Sequence, residues 1–268
     1  MSMIRKAFRI FRIILLVICI IVFLVSAVKL VQILVEYSKA ESVYDEINKG
    51  IGEVDGSDEG VQDSAPVRLV ELSKYVTELK SQYPDVVGYV NVPSLGISYP
   101  VVQTDNNDYY LDHMITGEES TSGAIFLDYR IDVDPLATKN TVLYGHNMNN
   151  GSMFHKVVDL FTVENFMNAK VEYVTENGVY IYEPLALYRC EAYYPFYMYE
   201  FDSDEGFLNF CDMITEKSFH TERPYVEYGA DASLITFSTC TNSISSKTGR
   251  YIYHAVLTEA YTDIHKGE

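Results

Sequence analysis

Cysteine is scarce in this chain of 268 residues, which has four, at positions 19, 190, 211 and 240. Three of them follow residue 35, an odd number, so at least one thiol is free or pairs with another molecule, and a Cys190–Cys211 bridge stays open. No Cys/His spacing suits zinc and no glycine-rich loop suits a nucleotide, so no metal or cofactor is expected. Internal repeats are absent as well. Positive charge is in short supply after the N-terminus: residues 36–268 hold 15 Lys/Arg against 38 Asp/Glu, a net of −23. That excess argues against nucleic acid or an anionic surface as a main partner.

The first 35 residues show the opposite balance, with five Lys/Arg and no Asp/Glu. Arg5, Lys6, Arg9 and Arg12 precede an apolar run, Ile13–Val28, which is interrupted at Lys29 and resumes to Val35. Roughly 20 apolar residues cross a hydrocarbon core, and a lysine near the end of such a run can snorkel. Ser26-Ala27 is the one weak candidate for a cleavage site. The expected layout is a cytoplasmic basic tail (1–12), an uncleaved transmembrane signal anchor (13–35), a stalk and linker (36–65) and an extracellular domain (66–268). Within the stalk, Glu36–Lys49 reads as a charged helix and Gly50–Pro66, rich in Gly, Asp, Glu and Ser, as a flexible linker. Leu72, Tyr75, Val76, Leu79 and Tyr83 then fall at helical spacing between Pro66 and Pro84, which predicts an amphipathic helix over 67–83.

From Val86 the pattern turns to short β-runs: 86–92, 97–103, 124–128, 141–144, 170–175, 179–192, 233–238 and 250–258, with Gly, Pro, Asn and Asp between them. Strands at this density suggest a closed or nearly closed barrel, which leaves no exposed sheet edge. One or two short helices are expected over 152–168, with Met153, Val157, Leu160 and Phe161 facing the core. A further helix is expected over 204–217, acidic at its start and carrying Phe207, Leu208, Phe210, Cys211 and Ile214. It could wall a binding groove or simply cover the barrel. The 23 tyrosines suit amphipathic barrel surface more than ligand stacking. Asp55, Asp58 and Glu59, or Asp202, Asp204 and Glu205, match no calcium loop and read as solvated acidic runs.

The stretch with the most chemistry is Ser233–Leu257. An apolar run ends in Ser238-Thr239-Cys240, and after a polar loop a second run begins at Arg250. Two strands so joined place a thiol and a guanidinium opposite each other. A cysteine attacks as thiolate, and a fixed cation either stabilises that thiolate or holds the oxyanion formed on attack. Otherwise Cys240 is a small buried hydrophobe and Arg250 a solvated strand end. The acid–base partner must come from six histidines. His254 lies inside a strand and His265 in the tail, which leaves His146, at the end of the strand Thr141–Tyr144, with His113, His155 and His220 as rivals.

The segments YGHNM, FSTC and an arginine ten residues beyond the cysteine resemble the signature of the sortases, in particular class B. SYPVVQTDNNDYYLDH (98–113), SGAIFLDYR (122–130) and NTVLYGHNMNNGSMFHKV (140–157) extend the likeness over residues 84–257. The resemblance implies a mainly β fold, a closed eight-stranded sortase-type barrel with N-terminal helices and a helix between strands six and seven, beside which substrate binds. It selects His146, Cys240 and Arg250 as catalytic, with Asn107, Leu111 and Ser238 lining a peptide groove. It also implies a membrane-anchored cysteine transpeptidase that cleaves a C-terminal sorting signal of secreted proteins after threonine. The acyl group then passes to an amine of a peptidoglycan precursor or a pilin lysine. Thr241 departs from the pattern, because class B members often carry an acidic residue after the cysteine. Arg130, outside the triad, is expected to tolerate lysine. A hydrolytic cysteine endopeptidase and a non-catalytic surface adhesin are the alternatives.

Overall fold

The structure is a computed structural model in which residues 2–55, 65–222, 224, 228–242 and 248–262 are described. The chain divides into two units, residues 1–43 and 44–268. The first helix, α1 (Ser2–Asp55), runs through the basic tail, the apolar run and the stalk without a break. Its portion Lys6–Gly50 is, by length and composition, apolar enough to cross a membrane, with a peak mean hydropathy of 3.2. Ile14, Leu24, Val31 and their neighbours expose their side chains.

The compact unit that holds the barrel begins at Tyr44, and the last turns of α1 dock on it. Tyr44 and Ile47 are buried, and the Tyr89 hydroxyl donates to Asn48 Oδ1 at 2.5 Å. The helix also does not stop at Gly50, where the linker was expected. The second helix, α2 (Ala65–Gln82), lays Tyr75 against that residue, and a Cβ at Gly50 would stand 2.6 Å from its ring. The glycine serves a close approach, which is sealed by the Tyr75 hydroxyl donating to the Ile47 carbonyl at 2.6 Å. The middle of the expected linker, 56–64, lies outside the described residues.

Eight strands follow: β1 (Val86–Val92), β2 (Ile97–Val102), β3 (Ile125–Leu127), β4 (Asn140–Tyr144), β5 (Val171–Thr175), β6 (Gly178–Glu191), β7 (Leu234–Cys240) and β8 (Gly249–Tyr261). They close into a barrel in the order β1-β2-β3-β4-β7-β8-β6-β5. Two pairs are parallel, β2 with β3 and β4 with β7, and the rest antiparallel. The parallel pair β4–β7 is buried on both faces, which explains why neither strand alternates between apolar and polar residues. A 3-10 segment, Phe154–Phe161, covers them, with Phe154 stacked on Phe237 at 4.7 Å between ring centroids.

That 3-10 segment and α3 (Val163–Met167) are the two short helices expected there. Met153, Val157 and Leu160 are buried, but Phe161 is not: it is 39% exposed and meets the exposed Phe219 and the half-buried Tyr251. A 3-10 turn repeats every three residues, so residue 161 leaves the face that 154, 157 and 160 share. The last helix, α4 (Asp204–Glu216), lies between β6 and β7 in the chain; Ser203 caps it by accepting from Gly206 N at 3.1 Å, and Phe207, Phe210, Cys211 and Ile214 are buried.

A buried polar chain crosses the barrel under α4. Thr236 donates its hydroxyl to Asn140 Oδ1 (2.6 Å), so Thr236 Oγ1 accepts from His254 Nδ1 (2.7 Å), which leaves His254 Nε2 to accept from the Tyr188 hydroxyl (2.8 Å). Asn140 passes its two amide hydrogens to the carbonyls of Phe196 (3.2 Å) and Met198 (2.8 Å). Every member is satisfied, so the cost of burying polar groups is met, and the loop after β6 is pinned to the barrel.

Candidate active site

The sheet register sets the site. β7 runs two residues beyond the expected Ser238 and ends at Cys240, whose antiparallel partner on β8 is Arg250. Arg250 is in turn paired with Cys190 on β6. Residues in register on adjacent strands point to the same side, so thiol, guanidinium and second thiol form one row. β4 ends at Tyr144, paired with Ser238, and His146 follows two residues later.

All six residues singled out from sequence, Asn107, Leu111, His146, Ser238, Cys240 and Arg250, border one cavity of about 400 Å³. His113, His155 and His220 do not border it. His113 stacks on Tyr109 at 4.1 Å and His220 binds the Leu160 carbonyl at 2.7 Å. Cys240 is half-buried and borders the cavity.

His146 is oriented by a contact that spacing could not reveal. Its Nε2 lies 2.7 Å from the Leu111 carbonyl. A carbonyl only accepts, so Nε2 carries a hydrogen and Nδ1 is the nitrogen whose proton can come and go. Leu111 thus contributes its backbone as well as its exposed side chain. That carbonyl packs closely against Gly123, at φ +57°, where a Cβ would stand 2.4 Å from the Tyr110 oxygen, 2.9 Å from the Leu111 oxygen and 3.2 Å from the His146 ring.

A further part of the wall is built around Arg130, which borders the cavity. Its Nε and Nη2 grip both oxygens of Asp128 at 2.8 and 2.6 Å, and the Asp128 side chain is fully buried. Tyr144 donates to the same carboxylate at 2.9 Å. Burial alone would raise the Asp128 carboxyl, but the Arg130 and Tyr144 hydrogen bonds hold it below the usual range. Burial, and then the carboxylate, push the Tyr144 phenol up, so it stays a hydroxyl. Tyr197 and Tyr199 flank the guanidinium at 5.5 and 5.3 Å from their ring centroids. Asn107 accepts on its side-chain oxygen from Tyr129 N at 3.0 Å.

The other thiols fit a different role. Cys190 and Cys211 are both free, so the open question of a bridge between them is answered in the negative. Burial pushes each thiol up to about 12, which leaves both protonated and unreactive near neutral pH. No group of His, Cys, Asp and Glu suited to a metal ion occurs among the described residues.

The Sortase domain family model matches residues 90–258, which contain every residue of the site. The chain belongs to the sortase family, in class B. Sortase B of Listeria monocytogenes is 30% identical over 192 residues, 70% of this chain and 75% of that protein. The crystal structure of sortase B from Bacillus anthracis in complex with AAEK1 matches at TM-score 0.70 and 30% identity, over 85% of this chain and all of that one. A Staphylococcus aureus sortase B–substrate complex shares the fold at TM-score 0.70 and 21% identity, covering 84% of this chain and 99% of that one. As a class B sortase the chain is a transpeptidase of the sortase type, with the closed barrel and the helix between β6 and β7 of those structures. Asp128, Arg130, Tyr144 and Tyr197 are the site residues that sequence reasoning missed. Asp128 and Arg130 stood inside the SGAIFLDYR segment, and the signal that could have found them is a carboxylate two residues before an arginine at a strand end, a spacing that allows a local bidentate pair.

Proposed function

We propose that this sortase is a membrane-anchored cysteine transpeptidase acting on a C-terminal sorting signal of secreted proteins. The observation that carries the reading is the register Cys240–Arg250 beside His146 on a single cavity. Cys240 attacks the carbonyl of a threonine in the signal peptide; the C–N bond breaks, the fragment beyond it leaves as an amine, and a thioester remains. His146, through Nδ1, gives the leaving amine its proton and later takes one from the incoming amine. Arg250 holds the carbonyl oxygen as its charge grows; among the described residues its side chain makes one hydrogen bond, from Nη1 to the Gly249 carbonyl at 3.1 Å. Asn107, Leu111 and Ser238 line the peptide path. The acyl group ends on an amine of a peptidoglycan precursor or on a pilin lysine. The helix α1 anchors the enzyme, with its basic end in the cytoplasm and the barrel outside.

A hydrolytic endopeptidase would use the same groups and pass the acyl to water. Incubating the full chain in detergent with a library of five-residue threonine-containing peptides, with and without triglycine or a diaminopimelate-type amine, separates the two by product mass. Amide-linked products are expected; free acid alone, at a rate indifferent to the amine, would establish a hydrolase.

A further inference from the structure

His146 and Cys240 come from different strands and are joined to each other by a second set of contacts, outside the cavity. Asn147 Nδ2 donates to the Cys240 carbonyl at 2.8 Å. Its Oδ1 faces His155 Nδ1 at 2.7 Å, and its own carbonyl accepts from Asn242 Nδ2 at 2.6 Å. Because an amide oxygen only accepts, His155 must carry its hydrogen on Nδ1, and because a carbonyl only accepts, the Asn147 amide can take only one of its two orientations. The loop is also closed on itself, by Phe154 N donating to the His146 carbonyl at 2.9 Å and by a bridge between Asn147 and Met153. Two non-glycine residues have positive φ among the described residues, Met153 at +57° and Asn242 at +51°, and both belong to this knot. Backbone strain of that kind persists where the surroundings over-determine it, and it concentrates at functional sites.

We propose that Asn147, itself aimed by His155, is a positioning residue that ties the histidine loop to the end of the cysteine strand and so fixes the approach of His146 to Cys240. It touches no substrate; it sets the distance across which the proton moves. This rests on the transpeptidase reading above. A hydrogen bond to the carbonyl of the nucleophile's own residue leaves the thiol free while preventing the strand end from peeling away.

The test uses full-length protein in detergent and a fluorogenic threonine peptide selected from the library. Asn147→Ala is expected to lower the acylation rate at saturating peptide about tenfold or more, with the peptide KM within about twofold, since a misplacement of about 1 Å can cost 100-fold. His155→Ala should lose less, and the double variant should be no slower than Asn147→Ala alone, because the two act as one unit. A rate unchanged within about twofold, a loss confined to KM, or losses that multiply would each overturn the proposal. Should Asn147→Ala lose its near-ultraviolet dichroism, Asn242→Gly, which keeps the left-handed backbone and removes one bond, decides in its place: a partial loss of rate supports, none overturns. If the parent chain acylates no peptide, the functional reading fails, and alkylation of Cys240 by iodoacetamide, followed by peptide mapping, still decides this point. A change of about threefold or more in that rate on Asn147→Ala supports the positioning role, and an unchanged rate removes it.

Discussion

Replacing Arg130 by alanine strands a buried anion. The Asp128 side chain has no exposed surface and takes two of its hydrogen bonds from the Arg130 guanidinium and one from the Tyr144 hydroxyl. Removing one member of such a pair typically costs about 3–5 kcal/mol, because the remaining charge keeps its desolvation penalty. For a barrel unit of this size that is a fall in Tm of about 10 °C. Arg130→Lys keeps the charge but not the two-point grip, so it should sit between parent and Arg130→Ala. The pH dependence is specific. With its folded pKa depressed, Asp128 contributes stability that is present above the usual carboxylate pKa and lost as pH falls through the folded value. Without Arg130 burial dominates and the carboxyl protonates at higher pH, so the deficit of Arg130→Ala should be smaller at pH 5 than at pH 7. Adding Asp128→Asn to Arg130→Ala should recover part of the loss. The chain has no tryptophan, so melts are followed by tyrosine near-ultraviolet dichroism. If Arg130→Ala unfolds within about 1 kcal/mol of the parent at pH 7, with no pH dependence of the difference, the buried pair does not hold this wall together.

Three other outcomes follow from the geometry. Gly123→Ala meets the Tyr110 and Leu111 carbonyl oxygens at a φ of +57°, so it should lose about 1–3 kcal/mol of stability and at least about tenfold in acylation rate through His146; a rate near that of the parent would detach the Leu111 contact from function. Burial pushes His254 down to about 3, below its unfolded value of about 6.5, so stability is lost as pH falls between those values, by up to about 1.4 kcal/mol per unit; His254→Gln should flatten that slope in urea titrations at pH 7 and 5, and equal slopes would refute it. Arg250→Lys should melt like the parent yet acylate at least about tenfold more slowly in a single turnover, whereas Arg189→Lys, an exposed arginine two strand positions from Glu191, should match the parent; equal rates would return Arg250 to the status of a strand end.

The barrel strands were legible because their signals are local. Val86–Val92 is β-branched and ends at a proline, and β7 and β8 flank a polar loop. Cys240 and Arg250 could be set opposite each other because a strand pair of that kind has few registers. What escaped depends on contacts between distant residues. Gly50 reads as a linker start until Tyr75 is seen against it, and Leu111 reads as a groove side chain until its carbonyl meets His146, 35 residues on. Arg130 reads as an arginine outside the triad that tolerates lysine, because nothing in the sequence says that Asp128 is buried. Phe161 was assigned to the core by helical spacing, which the 3-10 turn does not follow.

The proposed transpeptidation requires Cys240 as its nucleophile. Full-length protein mixed with the selected peptide, quenched in acid within one turnover and digested, should show the acyl fragment as an added mass on the peptide containing Cys240. Cys240→Ala should show no added mass and no cleavage while keeping the near-ultraviolet dichroism of the parent. An adduct on Cys190 or Cys211 instead, or cleavage by Cys240→Ala at a comparable rate, would contradict it.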